Sequence, residues 1–223
     1  MKRIIALILS CLMLLALTAC GTEQPETTTV PETTAVPETT VAPTEAKTLS
    51  AREVLDSLKA QLGDSYGCSA DEEEAVFAGY YGLDLARINS WASQQHAVTA
   101  ANMDMAIVIE TKDGYAEEAA AALQKGFEQK AGYAQLYNMD LARIGEARLF
   151  VQGNFVALLL LGQRPDEEAS QEEQAKFAAA EGEKVDAAWN AIFGEVPENI
   201  IVIPEPDAGG QGGGMRPGIR PRG

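Results

Sequence analysis

A nucleophile and a base would have to come from a short roster in this chain. It holds one histidine, His96, and three cysteines, Cys11, Cys20 and Cys68. Ser90 or Ser93 with His96 and Asp104 has the residue types of a hydrolytic triad, but triads are defined by geometry, and the competing reading is a polar loop histidine. A zinc site would need His96, Cys68 and carboxylates from distant segments, without the closely spaced ligand pairs such sites use. Asp71 to Glu74 is an acidic run that lacks the spacing of a calcium loop and reads as a solvated helix end. No Gly-rich phosphate loop with Lys-Ser/Thr, no Gly-x-Ser-x-Gly and no His-Glu-x-x-His occurs. No catalytic set, metal or cofactor is therefore expected. One constellation pairs aromatic rings with hydrogen-bonding groups near a loop-rich stretch: Tyr80, Tyr81, Asp84, Trp91, Asn102 and Asp104. Such a mixture can hold sugar or peptide, and these six form the expected binding surface. The alternative is that Tyr81 and Trp91 pack in the core.

Cys20 has the most explicit setting. Lys2 and Arg3 open the chain, Ile4 to Ala19 is almost wholly apolar, and Leu17-Thr18-Ala19-Cys20 is followed by Gly21. Cations, an apolar run and a small-residue cleavage site make a secretory leader. The run is short of the roughly 20 residues a spanning helix needs. Its end resembles the lipobox of bacterial lipoproteins, which implies cleavage before Cys20 and a diacylglycerol thioether on its sulfur. With Cys11 inside the leader and Cys20 acylated, Cys68 alone remains, so no disulfide can form within one molecule. Cys68 reads as an inert small side chain.

Composition then divides the chain. Residues 1–19 are the leader. Residues 20–48 carry Cys20 and a Pro-Glu-Thr-Thr-x-Val repeat starting at Pro25, Pro31 and Pro37, with a decayed copy at Pro43. Proline, repelling glutamates and the lack of anything to bury predict a disordered stalk. Its reach is about 30 Å as a coil and about 80 Å extended. Residues 49–203 are apolar and periodic, enough for one domain burying roughly 70% of its unfolded surface. Residues 204–223 form a second low-complexity tail, Gly-rich with Arg216, Arg220 and Arg222. The net charge of -16 argues against nucleic acid as a partner.

Within the domain, Ser50-Ala51-Arg52-Glu53 is a capping box, with Leu49 and Val54 placed as a staple, before a helix ending at Gly63. Asp71 to Glu74 begins a helix or turn. Val76 to Tyr81 fits helix or strand, and Leu85, Ile88 and Trp91 suggest a short helix. Met103 to Thr111 is a strand, Tyr115 to about Gly132 an Ala-rich helix, and Ala147 to Gln152 a strand. Gly153-Asn154 turns into Phe155 to Leu161, apolar throughout and thus expected in mid-sheet. Pro165 with Asp166, Glu167 and Glu168 suits a helix start, that helix ends near Gly194, and Ile200 to Ile203 can close the sheet. The order strand, helix, strand, strand, helix, strand predicts an α+β fold of the ferredoxin-like, split βαβ type. This is a two-layer antiparallel sheet with helices on one face, preceded by the N-terminal helix.

Tyr80-Tyr81-Gly82-Leu83-Asp84, Asn102 to Ile109, Lys112-Asp113-Gly114 and Gln152 to Leu158 resemble a family of mostly Gram-positive lipoproteins carrying domain of unknown function 4358. The resemblance covers about Leu49 to Phe193. Family members often have Glu where Asp104 stands. It implies a lipid-anchored α+β module and brings no activity and no site residue. The expected function is a non-catalytic binding or accessory module on the outer face of the cell membrane, held by lipid on Cys20 and contacting a surface protein or wall polymer. A soluble-ligand receptor and a wall-acting enzyme are the alternatives.

Overall fold

The computed structural model describes residues 49–99 and 102–205. The leader, Cys20, the stalk and the tail beyond residue 205 lie outside the described residues. The first helix, α1 (Ala51–Leu62), begins as its residues dictate. The Ser50 hydroxyl accepts from the Glu53 amide at 3.3 Å, and the Ser50 amide donates to the Glu53 carboxylate at 2.9 Å. Two-residue β1 (Ala70–Asp71) and α2 (Glu74–Tyr81) follow, then β2 (Ile88–Gln95), β3 (Met105–Thr111), α3 (Ala116–Tyr137), α4 (Leu141–Ile144), β4 (Arg148–Gln152), β5 (Phe155–Leu160) and α5 (Gln171–Phe193).

The five strands pair antiparallel in the order β1-β2-β3-β5-β4. The two most apolar, β3 and β5, lie side by side, with Ile107 opposite Leu158 and Val108 opposite Ala157. This is the α+β class that the element order predicts. The helices, however, cover both faces rather than one, so the molecule has three layers. The cause lies in β3 and β5 themselves. Met105, Ile107 and Ile109 with Val156, Leu158 and Leu160 point to one core, while Ala106 and Val108 with Ala157 and Leu159 point to the other. Strands apolar on both faces need cover on both. Ala119, Leu123 and Phe127 of α3 close the first side; Leu55 and Leu58 of α1 with Val185 and Trp189 of α5 close the second.

The strand that flanks β3 also differs from the ferredoxin-like expectation. It is β2, from the segment around Ile88 and Trp91 expected to be helical. Its polar residues hid its period. They are satisfied individually: Ser93 donates to Glu72, Gln94 donates to Asp71 at 2.9 Å, and the Tyr66 hydroxyl donates to Gln94 at 2.8 Å. Ile200 to Ile203 is not a strand. The Ile200 amide donates to the Leu149 carbonyl at 3.1 Å, but the Leu149 amide donates to the Asn199 side chain at 2.8 Å, so no ladder starts. The next amides turn away, Ile201 to Asn199 and Val202 to Gln124. The segment covers the β4 edge without extending the sheet.

Two helix bounds move. The last helix starts at Gln171, not Pro165, because Ser170 and Glu173 form a second capping box, and 166–169 is a turn closed by the Ala169 amide on the Asp166 carbonyl. The Ala-rich helix runs past Gly132 to Tyr137. Ala131 and Ala134 are buried and carry it through, until Asn138 takes the left-handed conformation at φ 54°. Gly126 of α3 is structurally required, since a Cβ there would overlap the Tyr81 ring.

Candidate functional site

Four segments converge at the end of the sheet where β3 begins and β5 finishes. The β2–β3 connection brings Asn102 and Asp104. The corner after α3 brings Asn138 and Asp140, α4 brings Arg143, and the strand-to-helix connection after β5 brings Arg164 and Glu167. Asp104 is folded inward by its own chain: its amide donates to the Asn102 side chain at 2.8 Å, and its carbonyl accepts from the His96 amide at 3.1 Å. A side chain on Gly67 would occupy the space of the Asp104 carboxylate. That carboxylate pairs with the Arg143 guanidinium, and both side chains are 2% exposed.

Arg143 also faces Asp140 at 3.5 Å, and Asp140 in turn holds Arg164 at 3.1 Å. Arg164 reaches Glu167 at 3.4 Å. The result is a graded chain of charges, from the buried Asp104–Arg143 pair through Asp140 to the exposed Arg164–Glu167 pair. Burial pushes the Arg143 guanidinium down to about 10, with the Arg164 charge adding to the effect. Its Nε is buried and has no hydrogen-bond partner among the described residues. Asn138 and Asp140 both sit at positive φ, 54° and 50°, a conformation that costs non-glycine residues energy and concentrates at functional sites.

All of this network except Asp104 lines a cleft of about 830 Å³ between the α3–α4 corner and the start of α5. Asn138, Asp140, Arg143, Arg164, Gln171 and Gln174 supply its polar wall. Met139, Leu141, Pro165 and Ala175 supply the apolar one. The volume suits a small ligand or one segment of a polymer. Asp140 and Glu167 balance Arg143 and Arg164, so the lining favours a neutral ligand with hydrogen-bonding groups over a strongly charged one.

The six residues expected to form one binding surface are divided. Asp104 belongs to the buried network and Asn102 supports it. The other four lie elsewhere. Trp91 stands opposite Ile109, which is five residue steps from Asp104, about 17 Å along the strand. Trp91 stacks on Phe77 with ring centroids 4.3 Å apart, and Tyr81 is buried against α3. The Tyr80 hydroxyl donates to the Gly126 carbonyl at 3.3 Å. Asp84 caps a turn by accepting from the Ala86 amide at 3.0 Å, and its own amide donates to the Tyr115 hydroxyl at 2.8 Å. These are packing and capping roles. Asp140, Arg143 and Arg164 were missed; the Asp-x-x-Arg spacing at 140–143 is a faint signal, because only the fold reveals that the pair is buried.

The triad candidates are engaged separately. The Ser93 hydroxyl donates to Glu72, the Ser90 hydroxyl donates to Glu110 at 2.7 Å, and His96 Nδ1 accepts from the Val98 amide at 3.0 Å. Among the described residues no group of three or more His, Cys, Asp or Glu side chains is placed to hold a metal. Cys68 is buried in the α1–α5 core, and burial pushes its thiol from 9.0 up to about 12. Two results are expected. A disulfide reagent at pH 8 should leave the native thiol unmodified and react once the chain is unfolded in urea. The thiol's contribution to stability should be whole below pH 9 and fall as pH rises from 9 towards 12, by up to about 1.4 kcal/mol per pH unit, because the unfolded chain then releases a proton the native one keeps. Urea titrations across that range, compared with Cys68→Ala, isolate the effect.

No family model matches the chain, and the curated proteins and solved structures give no match either.

Proposed function

We propose that this chain is a lipid-anchored, extracytoplasmic binding module of the kind found with domain of unknown function 4358. It acts without catalysis and is fastened to the cell membrane through diacylglycerol on Cys20. The Leu-Thr-Ala-Cys run at 17–20 supports the anchor, and a diacylated sulfur supplies the two chains that stable attachment needs. The stalk carries the domain outward, towards a wall polymer whose glycan or peptide segments enter the cleft. One observation carries the binding reading: three segments, the α3–α4 corner, α4 and the connection after β5, bring Asn138, Asp140, Arg143 and Arg164 to one cleft of about 830 Å³. The separate engagements of Ser90, Ser93, His96 and Cys68 favour binding over catalysis.

Co-sedimentation of the purified domain with isolated cell walls tests this. Arg164→Ala removes an exposed donor, and Asn138→Gly removes an amide while keeping the left-handed backbone. Each is expected to weaken retention about tenfold, the loss of one or two hydrogen bonds involving a charged or well-placed group, with the melting temperature little changed. Equal retention of both variants and wild type would remove the cleft from the account. Crosslinking from position 164 on intact cells that captured a protein instead of wall material would redirect the reading to a surface partner.

A further inference from the structure

The outer face of α3 ends in side chains that the described fold does not use. Tyr133, Leu136 and Tyr137 are exposed, Leu136 by 70%. The two tyrosine rings lie 4.6 Å apart. Gly132 sits among them, one turn before Leu136. A Cβ there would meet nothing within 4 Å. Glycine in a helix interior costs about 0.5–1 kcal/mol relative to alanine, and no neighbour requires it here, in contrast to Gly126. A notch bordered by large exposed apolar groups is the shape of a seat for another stretch of chain.

We infer that this face receives the chain's own C-terminal segment, Met215 to Arg222. The first argument is where the described chain leads. The segment after Asn199 runs along α3, with Gln124 and Val202 exchanging hydrogen bonds at 2.8 and 3.0 Å. Gln135 then donates to the Pro204 carbonyl at 2.6 Å. The chain thus reaches the very turn that carries Leu136, with residues 206–223 still to come. The ten or so residues from Glu205 to Met215 can span about 30 Å, well beyond the patch, which occupies about two helical turns, or roughly 11 Å.

The second argument is chemical complementarity. Met215-Arg216-Pro217-Gly218-Ile219-Arg220-Pro221-Arg222 alternates apolar and cationic residues around two Arg-Pro pairs. Proline favours an extended backbone in itself and in its predecessor. Proline-containing extended segments dock on aromatic-lined surfaces, and guanidinium groups stack on tyrosine faces. Met215 and Ile219 match the apolar patch, and Glu128, one turn before Gly132, offers a carboxylate to an arginine. Tethering makes weak contact sufficient: at an effective concentration of about 1 mM, an intrinsic dissociation constant of about 0.1 mM leaves the face about nine-tenths occupied. Docking needs neither the lipid nor a ligand in the cleft, so its failure would leave the proposed function standing.

A photoreactive benzophenone amino acid at position 137, and separately at 136, tests this in the purified chain from residue 20 to 223 carrying Cys20→Ser. The expected product is an intramolecular crosslink to residues 215–222, found by mass spectrometry, with yield independent of protein concentration. Joint Arg216→Glu, Arg220→Glu and Arg222→Glu substitution should cut that yield at least fivefold. A yield no greater than from position 177 on α5, crosslinks only between two copies, or insensitivity to the arginine changes would each overturn the inference.

Discussion

Asp104→Ala is expected to lower the unfolding free energy by about 3–5 kcal/mol, the range for removing one partner of a buried ion pair. Asp104 and Arg143 are each 2% exposed, so no solvent replaces the lost carboxylate. The guanidinium left behind would keep Asp140 as its one ion-pair partner among the described residues, at 3.5 Å and already shared with Arg164. Its Nε is without a partner among the described residues even in the intact protein. Burial already depresses its pKa, a sign that the surroundings oppose the charge. A domain of this size is stable by about 5–15 kcal/mol, so the loss is a large share of the whole. Arg143→Met should cost a similar amount by leaving the Asp104 and Asp140 carboxylates buried without it. The double variant should cost clearly less than the sum, because the unpaired charge, not the missing attraction, dominates each single change. Urea unfolding of the four proteins measures this. A cost below about 1 kcal/mol for Asp104→Ala would mean that the pair behaves as a solvent-exposed one.

Gly126→Val should be the most damaging of the glycine substitutions on α3. Two effects oppose each other. Replacing a helical glycine recovers a few tenths of a kcal/mol of propensity with valine. Against that, the new side chain enters the space of the Tyr81 ring, which is buried and tilted against Phe77 with centroids 5.8 Å apart. Overpacking of a filled core costs about 1–3 kcal/mol and sometimes more. The net expectation is a loss of about 2–3 kcal/mol, or a melting temperature lower by roughly 5–10 °C for a domain of this length. An unchanged or higher melting temperature by calorimetry would show that α2 can move away from α3 at little cost.

The legibility of this fold follows the strength of local signals. The capping box at Ser50 and the unbroken apolar run of β5 each have one cheap physical solution, and both formed as read. The same Ser-x-x-Glu signal at Ser170 was masked by Pro165 and three acidic residues, which mark a turn just as well as a helix start. Strand β2 was illegible because Asn89, Ser90, Ser93, Gln94 and Gln95 place polar groups where alternation would show apolar ones, and their partners come from α1, β1, β3 and the connecting residues Tyr66 and Glu72. Two-sided burial followed from β3 and β5, yet an element order alone does not say on which face each helix lies. The binding surface failed for a related reason. Aromatic and polar residues close in sequence were separated by the length of a strand, while Asp104 found its partner 39 residues away in Arg143.

The attachment through Cys20 is the claim on which the location and the role depend. Cells expressing the chain should incorporate labelled palmitate into it, and Cys20→Ser should abolish that label and release the protein from the membrane fraction. A chain that takes up no label, and whose Cys20→Ser form fractionates with membranes as the unsubstituted protein does, would contradict the account.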